Sequence, residues 1–525
     1  MVHGSSILLF ALAAGAAPFA NVAEVPHDVQ MYVQVDDVAE IFRSIHDRPI
    51  AQWCGQFFDG GKVRKAWSVL AQQGDLNSQQ LFDRAFSGSV TLITRRAPLL
   101  APDSQEHPSE WVVIAHTESS FVDELIQRLK PRLLLPRRGY SMLQLPEHGL
   151  IIARRESVLL TSPIGRTGLL NDVLALRQSS QPGDSSLAAL PAFTQTPQLG
   201  DGQISVFMRH EKPMGGWSAA VAKLDGDRVK LRHMARFDSA PFSTPITTQT
   251  WDIAAFEVLG ARAIAVFIEP PGDGQGRAER LVHRSLGRAP LSIEAQQQVG
   301  AMAIVLNDDD GRLREDPIDG VGPALAICYQ LRDGHIERET LDRDIRDLVQ
   351  RAHHVLKIDA PAPVPDVLPD PTGASINITP LAKALLADSP ITDNFSLYWG
   401  QVCRPHGNWW VISTNRDQFR DVCGALRDQN PEMAADPQLG QWAGGGLVNG
   451  RQLAVLLRKM ADRPLWPIEE DDAPRFAATL ETLANLADGV ERCSWRLRRP
   501  KTNSMLLEID LTLSPPESAA AGPSH

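Results

Sequence analysis

The sequence predicts an α+β protein built as two related lobes of mainly antiparallel sheet with packed amphipathic helices. Three observations carry this expectation. Short runs alternate with period two, as at Val33 and Val35 or Ile376 and Ile378, which marks half-buried strands. Other stretches set apolar residues at helical spacing against a charged face. Strands and helices mix in runs, without the strict βαβ alternation that a parallel sheet needs. At 525 residues the chain is also too long for one ordinary core, since domains usually hold roughly 100–200 residues.

The two lobes are expected from three patterns that recur in one order. Tyr32 to Ile50 (YVQVDDVAEIFRSIHDRPI) and Ser375 to Ile391 (SINITPLAKALLADSPI) each give an alternating strand, a capping Asp or Thr, an amphipathic helix and Pro-Ile. Asp36 and Thr379 stand where an N-cap is needed, and Pro380 suits a first helical turn. Ser186 to Phe193 (SLAALPAF) matches Glu432 to Leu439 (EMAADPQL), each preceded by a strand and helix, Val158 to Leu176 and Trp410 to Leu426. Ile264 to Pro271 (IAVFIEPP) echoes Ile509 to Pro516 (IDLTLSPP), a strand closed by Pro-Pro. Three ordered matches predict a duplication.

Asp359 to Pro371 (DAPAPVPDVLPDP) has proline at nearly every second or third position. Such spacing disfavours helix and sheet ladders and predicts an extended linker. The expected division is therefore a leader over 1–23, a first copy with insertions over 28–271, and a middle α+β segment over 272–358. The linker 359–371, a second copy over 372–513 and a polar tail over 514–525, expected to be disordered, follow. In the middle segment, Ala301 to Leu306 and Pro323 to Leu331 read as strands, with a turn at Asp310-Gly311. A long helix follows from His335 to about Leu356, with Leu341, Ile345, Leu348, Val349, Ala352, Val355 and Leu356 on its apolar face.

The opening strand and helix with Pro-Ile, the SLAALPAF stretch leading into Ile204 to Met208, and the strands begun by Trp111 and Trp410 carry a resemblance. They resemble a family of exported bacterial proteins that bears the label domain of unknown function, over most of residues 28 to 513. The resemblance implies extracytoplasmic placement and a duplicated module, and it brings no catalytic or binding residues.

Composition excludes several classes. An apolar fraction of 43% with 22% charged residues is globular, which rules out wholesale disorder and a multi-span membrane protein. A net charge of −11 with no basic stripe opposes nucleic-acid binding, which needs phosphate neutralisation. Ile7 to Ala17 (ILLFALAAGAA) is an apolar, small-residue run about half the length needed to span a bilayer. It reads as a cleaved leader rather than an anchor, although its n-region offers only His3 in place of Lys or Arg. The expected placement is periplasmic or secreted, with a cytoplasmic chain as the alternative. The five cysteines, Cys54, Cys328, Cys403, Cys423 and Cys493, contain no Cys-x-x-Cys pair. Buried free thiols are the expectation, with a Cys403–Cys423 bridge as the competing one.

Asn307 to Asp316 (NDDDGRLRED) is dense in carboxylates, but Leu306 and Pro317 fall where a calcium loop needs ligands, so it reads as a solvated turn. Gly272 to Gly276 (GDGQG) follows a strand, but Arg277 takes the third glycine position of a dinucleotide loop. His353 and His354 are adjacent on a helix and diverge by about 100°, so they read as surface or helix-end residues. Glu469, Glu470, Asp471 and Asp472 lie in a proline-flanked loop as a solvated charge run. Trp399, Trp409 and Trp410 gather around a turn at His406 to Asn408. Strand alternation sends Trp409 and Trp410 to opposite faces, one expected in the core and one exposed or at an interface. No serine-elbow or zinc-helix motif occurs, and no cofactor is expected.

Catalytic and ligand residues thus stay unassigned by sequence. The expected function is that of a non-enzymatic exported binding or structural protein of the bacterial envelope, with a hydrophobic ligand or an envelope protein as partner. The alternative is an extracytoplasmic hydrolase whose site is assembled from residues distant in sequence.

Overall fold

A computed structural model describes residues 18–36, 38–46, 48, 84, 88–95, 110–179, 185–193, 195–210, 215–239, 263–269, 299–307, 324–331, 338–359, 364–369, 373–385, 396–403, 408–427, 444–462 and 472–515. The run Ile7 to Ala17, Cys54, Gly272 to Gly276, Glu432 to Leu439, Glu469 to Asp471, residues 308–316 of the acidic loop and the tail from 516 lie outside the described residues. The chain divides into two compact units, one formed by 1–245 with 500–525, the other by 246–499. The division falls elsewhere than at the proline-rich segment, and it groups the middle segment with residues 372–499.

In unit 1, β1 (Met31–Val35) leads through α1 (Val38–His46) to the hairpin partners β2 (Val90–Thr94) and β3 (Trp111–His116). Then follow α2 (Ser119–Leu129), β4 (Arg132–Arg137), β5 (Tyr140–Leu145), β6 (Leu150–Arg155), β7 (Val158–Pro163) and α3 (Gly168–Gln178). The unit ends with β8 (Ile204–Arg209), β9 (Trp217–Asp225), β10 (Arg228–Arg236) and the C-terminal β20 (Ser504–Leu513). The strands lie in the order β4-β5-β6-β7-β3-β2-β1-β8-β9-β10-β20, antiparallel at every pairing. Alternation explains the packing. Tyr32, Ile93, Val112, Ile114, Leu160 and Phe207 share one core with Leu169, Leu170, Val173 and Leu174 of α3. On β10, Val229 and Leu231 are buried while Lys230 and Arg232 face water, as a sheet with one solvated face requires.

Residues 18–23, expected in the leader, are built into this unit: Phe19 is buried in the α3 core.

In unit 2, β11 (Ala265–Glu269), β12 (Val299–Asn307) and β13 (Ala324–Leu331) precede α4 (Arg338–Val355). Next come β14 (Asp366–Leu368), β15 (Gly373–Asn377), α5 (Thr379–Leu385), β16 (Ser396–Val402), β17 (Trp409–Ser413), α6 (Arg416–Arg427) and β18 (Gly444–Asn449). The helices α7 (Gly450–Asp462) and α8 (Ala473–Asp488) stand between β18 and β19 (Val490–Lys501). The strand order is β14-β15-β16-β17-β13-β12-β11-β18-β19, again antiparallel throughout. It is the order of unit 1 from β4 to β9 with every strand number advanced by ten.

Both faces of this sheet are covered. Trp409 and Val411 pack with Phe419, Val422 and Leu426 of α6, whereas Trp410 packs with Leu341, Ile345 and Val349 of α4. The two tryptophans do point opposite ways, but both are fully buried, as is Trp399. A helix covers each face, so neither ring is left as an exposed platform. Trp410 stacks on Tyr329 with centroids 5.5 Å apart.

Three local expectations change. The proline-rich segment contains β14, because a three-residue strand bracketed by Pro365 and Pro369 and paired only with β15 has no inner ladder for proline to break. Thr379 does not cap α5 from outside the helix; its own N–H is held by Asn377 Oδ1 at 2.9 Å. On α4, Val355 is 59% exposed rather than part of the buried stripe.

On β10, the His233 Nε2 atom is buried without a hydrogen-bond partner. Loss of hydration, then the neighbouring His210, lower its pKa to about 4 from an ordinary 6.5. The unfolded chain therefore binds this proton more readily, so stability is full above pH 6.5 and falls as pH drops towards 4. The loss is on the order of 3 kcal/mol at pH 4. Urea midpoints measured at pH 7 and pH 4.5 should converge for His233→Phe relative to wild type; an unchanged pH slope contradicts the assignment.

Candidate functional site

The pocket in unit 2 opens at the end of β16, where three elements distant in sequence meet. Leu341, Asp342, Trp399, Gly400, Gln401, Cys403 and Arg427 line a cavity of about 370 Å³. Each position follows from its element. Leu341 belongs to the buried stripe of α4, and the next residue turns about 100° towards the stripe's edge, which places Asp342 at the rim. Its Oδ1 accepts the indole N–H of Trp399 at 2.8 Å. That bond spends one carboxylate oxygen and locks the ring.

Strand alternation puts Gln401 on the same face as Trp399. The Gln401 Nε2 atom is buried and makes no hydrogen bond, a donor left over where most buried groups are satisfied. Gly373 of β15 stands opposite Gly400. A Cβ at Gly373 would lie 2.4 Å from the Trp399 carbonyl oxygen, so glycine allows β15 and β16 to close beside the pocket. Arg427 is the last residue of α6, where a cation also suits the negative end of the helix dipole.

The cavity thus offers a guanidinium, a carboxylate and an exposed thiol. A guanidinium presents a planar fork of donors matched to carboxylate or phosphate oxygens. Cys403 has no histidine among the lining residues to act as its base. Comparison with known proteins finds no matching family model, no matching curated protein and no matching solved structure. The likeness to exported bacterial proteins therefore rests on the quoted residues alone.

The sequence candidates fall as follows. Trp399 and Cys403 reach the pocket; Trp409 and Trp410 are core. His353 and His354 lie in the last turn of α4, the first buried and the second exposed. Among the described residues no three His, Cys, Asp or Glu side chains gather as a metal site. Cys328, Cys403, Cys423 and Cys493 are free thiols, so Cys403 and Cys423 are not bridged. Asp342, Gln401 and Arg427 had no signal in the sequence, because a helix, a strand and a second helix bring them together only after folding.

Unit 1 holds a second polar constellation, along β1. Tyr32 Oη donates to Gln34 Oε1 at 2.5 Å, and Gln34 Nε2 donates to Asp36 Oδ1 at 3.0 Å. All three residues are buried. Burial, only partly offset by the Gln34 bond, raises the Asp36 pKa, and burial likewise pushes the Tyr32 hydroxyl up. The row is an internal hydrogen-bonded network.

Burial also pushes the Cys328 thiol far up and the Cys423 thiol to about 12, the latter despite nearby Arg427. Both stay protonated and unreactive at neutral pH. Peptide-resolved maleimide labelling of the native protein should modify Cys403 and spare Cys328 and Cys423 until denaturant is added. Equal native rates for Cys403 and Cys423 would count against this placement.

Proposed function

We propose that this chain is a non-enzymatic, exported binding protein of the bacterial envelope, and that the unit 2 pocket takes a small polar ligand bearing an anionic group. The observation that carries the reading is the pocket lining, with the Arg427 guanidinium as a donor beside a ring locked by Asp342. A lining of guanidinium, carboxylate and amide favours a polar ligand over a hydrophobic one.

The scaffold reading extends to the whole chain. The two units are proposed as copies of one module, supported by their common order of strand pairing. The correspondence differs from the one drawn from sequence. Trp410 to Leu426 and Val158 to Leu176 do fall on matching positions, β17 with α6 and β7 with α3. In contrast, β15 sits where β5 does rather than β1, and β11 takes the place of β1. Among the described residues no helix is long and apolar enough to cross a membrane.

Native mass spectrometry of protein purified from a bacterial host should detect a bound small anion-bearing molecule that is lost on denaturation. Arg427→Ala should lower its occupancy several-fold. A wild-type spectrum free of adducts contradicts ligand binding here. Turnover of an ester or amide panel that disappears in Cys403→Ser would favour the hydrolase reading instead.

A further inference from the structure

We infer that the leader is removed by hydrolysis of the Ala16–Ala17 bond, upstream of Pro18, so that Phe19 to Val25 remain in the mature chain as an internal clip of unit 1. The inference rests on the export reading above, and it moves the end of the leader from the expected Ala23.

The segment is part of the core. Phe19 is 5% exposed. Its ring meets Phe193 edge-on at 5.3 Å and Tyr32 at 5.9 Å, and Phe193 continues the cluster to Phe207 at 4.9 Å. The Phe19 N–H donates to Ser205 Oγ at 3.2 Å, and Asn21 Nδ2 donates to Thr91 Oγ1 at 2.9 Å. Ser205 and Thr91 stand opposite Gln34 on the two neighbours of β1, and both are buried. Farther along, Glu24 pairs with Arg177, and fully buried Val25 accepts the Leu187 N–H through its carbonyl. Phe19 adopts a φ of 60°, a left-handed conformation that a bulky residue keeps only where its surroundings hold it.

A cut after Ala23 would strip Phe19 from the aromatic cluster and remove the partners of Ser205 and Thr91. It would also create an α-ammonium on Glu24, beside the Arg177 guanidinium. A cut upstream of Pro18 costs none of these contacts. Leader removal needs small residues at the third and first positions before the bond, and Ala14-Gly15-Ala16 supplies them at the end of the apolar run. Water adds across the Ala16–Ala17 amide under catalysis by the host's leader peptidase, leaving a carboxylate on Ala16 and an ammonium on Ala17.

The full chain should be expressed in a bacterium, and the exported protein examined by N-terminal sequencing and intact mass. A start at Ala17 is expected. A start at Asn21 or Glu24 overturns the inference while leaving export standing; retention of Met1 removes the export reading itself. In the full chain, Phe19→Ala should lower Tm by several degrees, with Phe19→Leu intermediate. A Tm unchanged in Phe19→Ala overturns the clip, whatever the processing result.

Discussion

The structure depends on one constraint: the first strand among the described residues of each unit is enclosed by hydrogen-bonded neighbours on both edges. β1 pairs with β2 on one side and β8 on the other, and β11 pairs with β12 and β18. A chain that starts in the middle of its own sheet must leave the second edge open until much later. In unit 1 the strand that closes it begins at Ile204, about 170 residues beyond β1, so closure is a long loop whose entropy the core must offset. Between those events the chain builds the meander from β4 to β7, which returns to join β3. The same sequence of events is repeated from β11 to β18. The helix after the third strand and the helix after the seventh lie at the same places in both courses, and in unit 2 they cover opposite faces.

Much of this was legible locally. The strands at 31–35, 158–163, 204–209, 299–307 and 324–331 and the helix at 338–355 lie close to where alternation and helical spacing put them. Their partners were not legible. The strand-cap-helix pattern shared by Tyr32 to Ile50 and Ser375 to Ile391 belongs to local propensity, and local propensity does not say which edge a strand joins. Pairing is a long-range outcome, so two similar strands, β1 and β15, occupy different positions. Trp409 and Trp410 show the same limit from another side. Period two gave their opposite directions, but burial of both depended on helices approaching from two distant stretches of chain.

The pocket follows the same logic. Trp399 and Cys403 stood out by residue type. Asp342 looked like one acid among many on the polar face of α4, and Arg427 like an ordinary basic residue in a last helical turn. Their meaning arises from where β16 ends. The N-terminal segment shows the same limit: the apolar run Ile7 to Ala17 is recognisable in composition, whereas the place of Phe19 in the core is a product of folding.

Hydrogen exchange read by mass spectrometry tests the claim that β1 and β11 are the axes of their units. Peptides covering Met31–Val35 and Ala265–Glu269 should exchange among the slowest, while Arg132–Arg137 and Asp366–Leu368, each paired along one edge, exchange fast. Exchange of the Ala265–Glu269 amides as quick as that of Asp366–Leu368 would contradict the account.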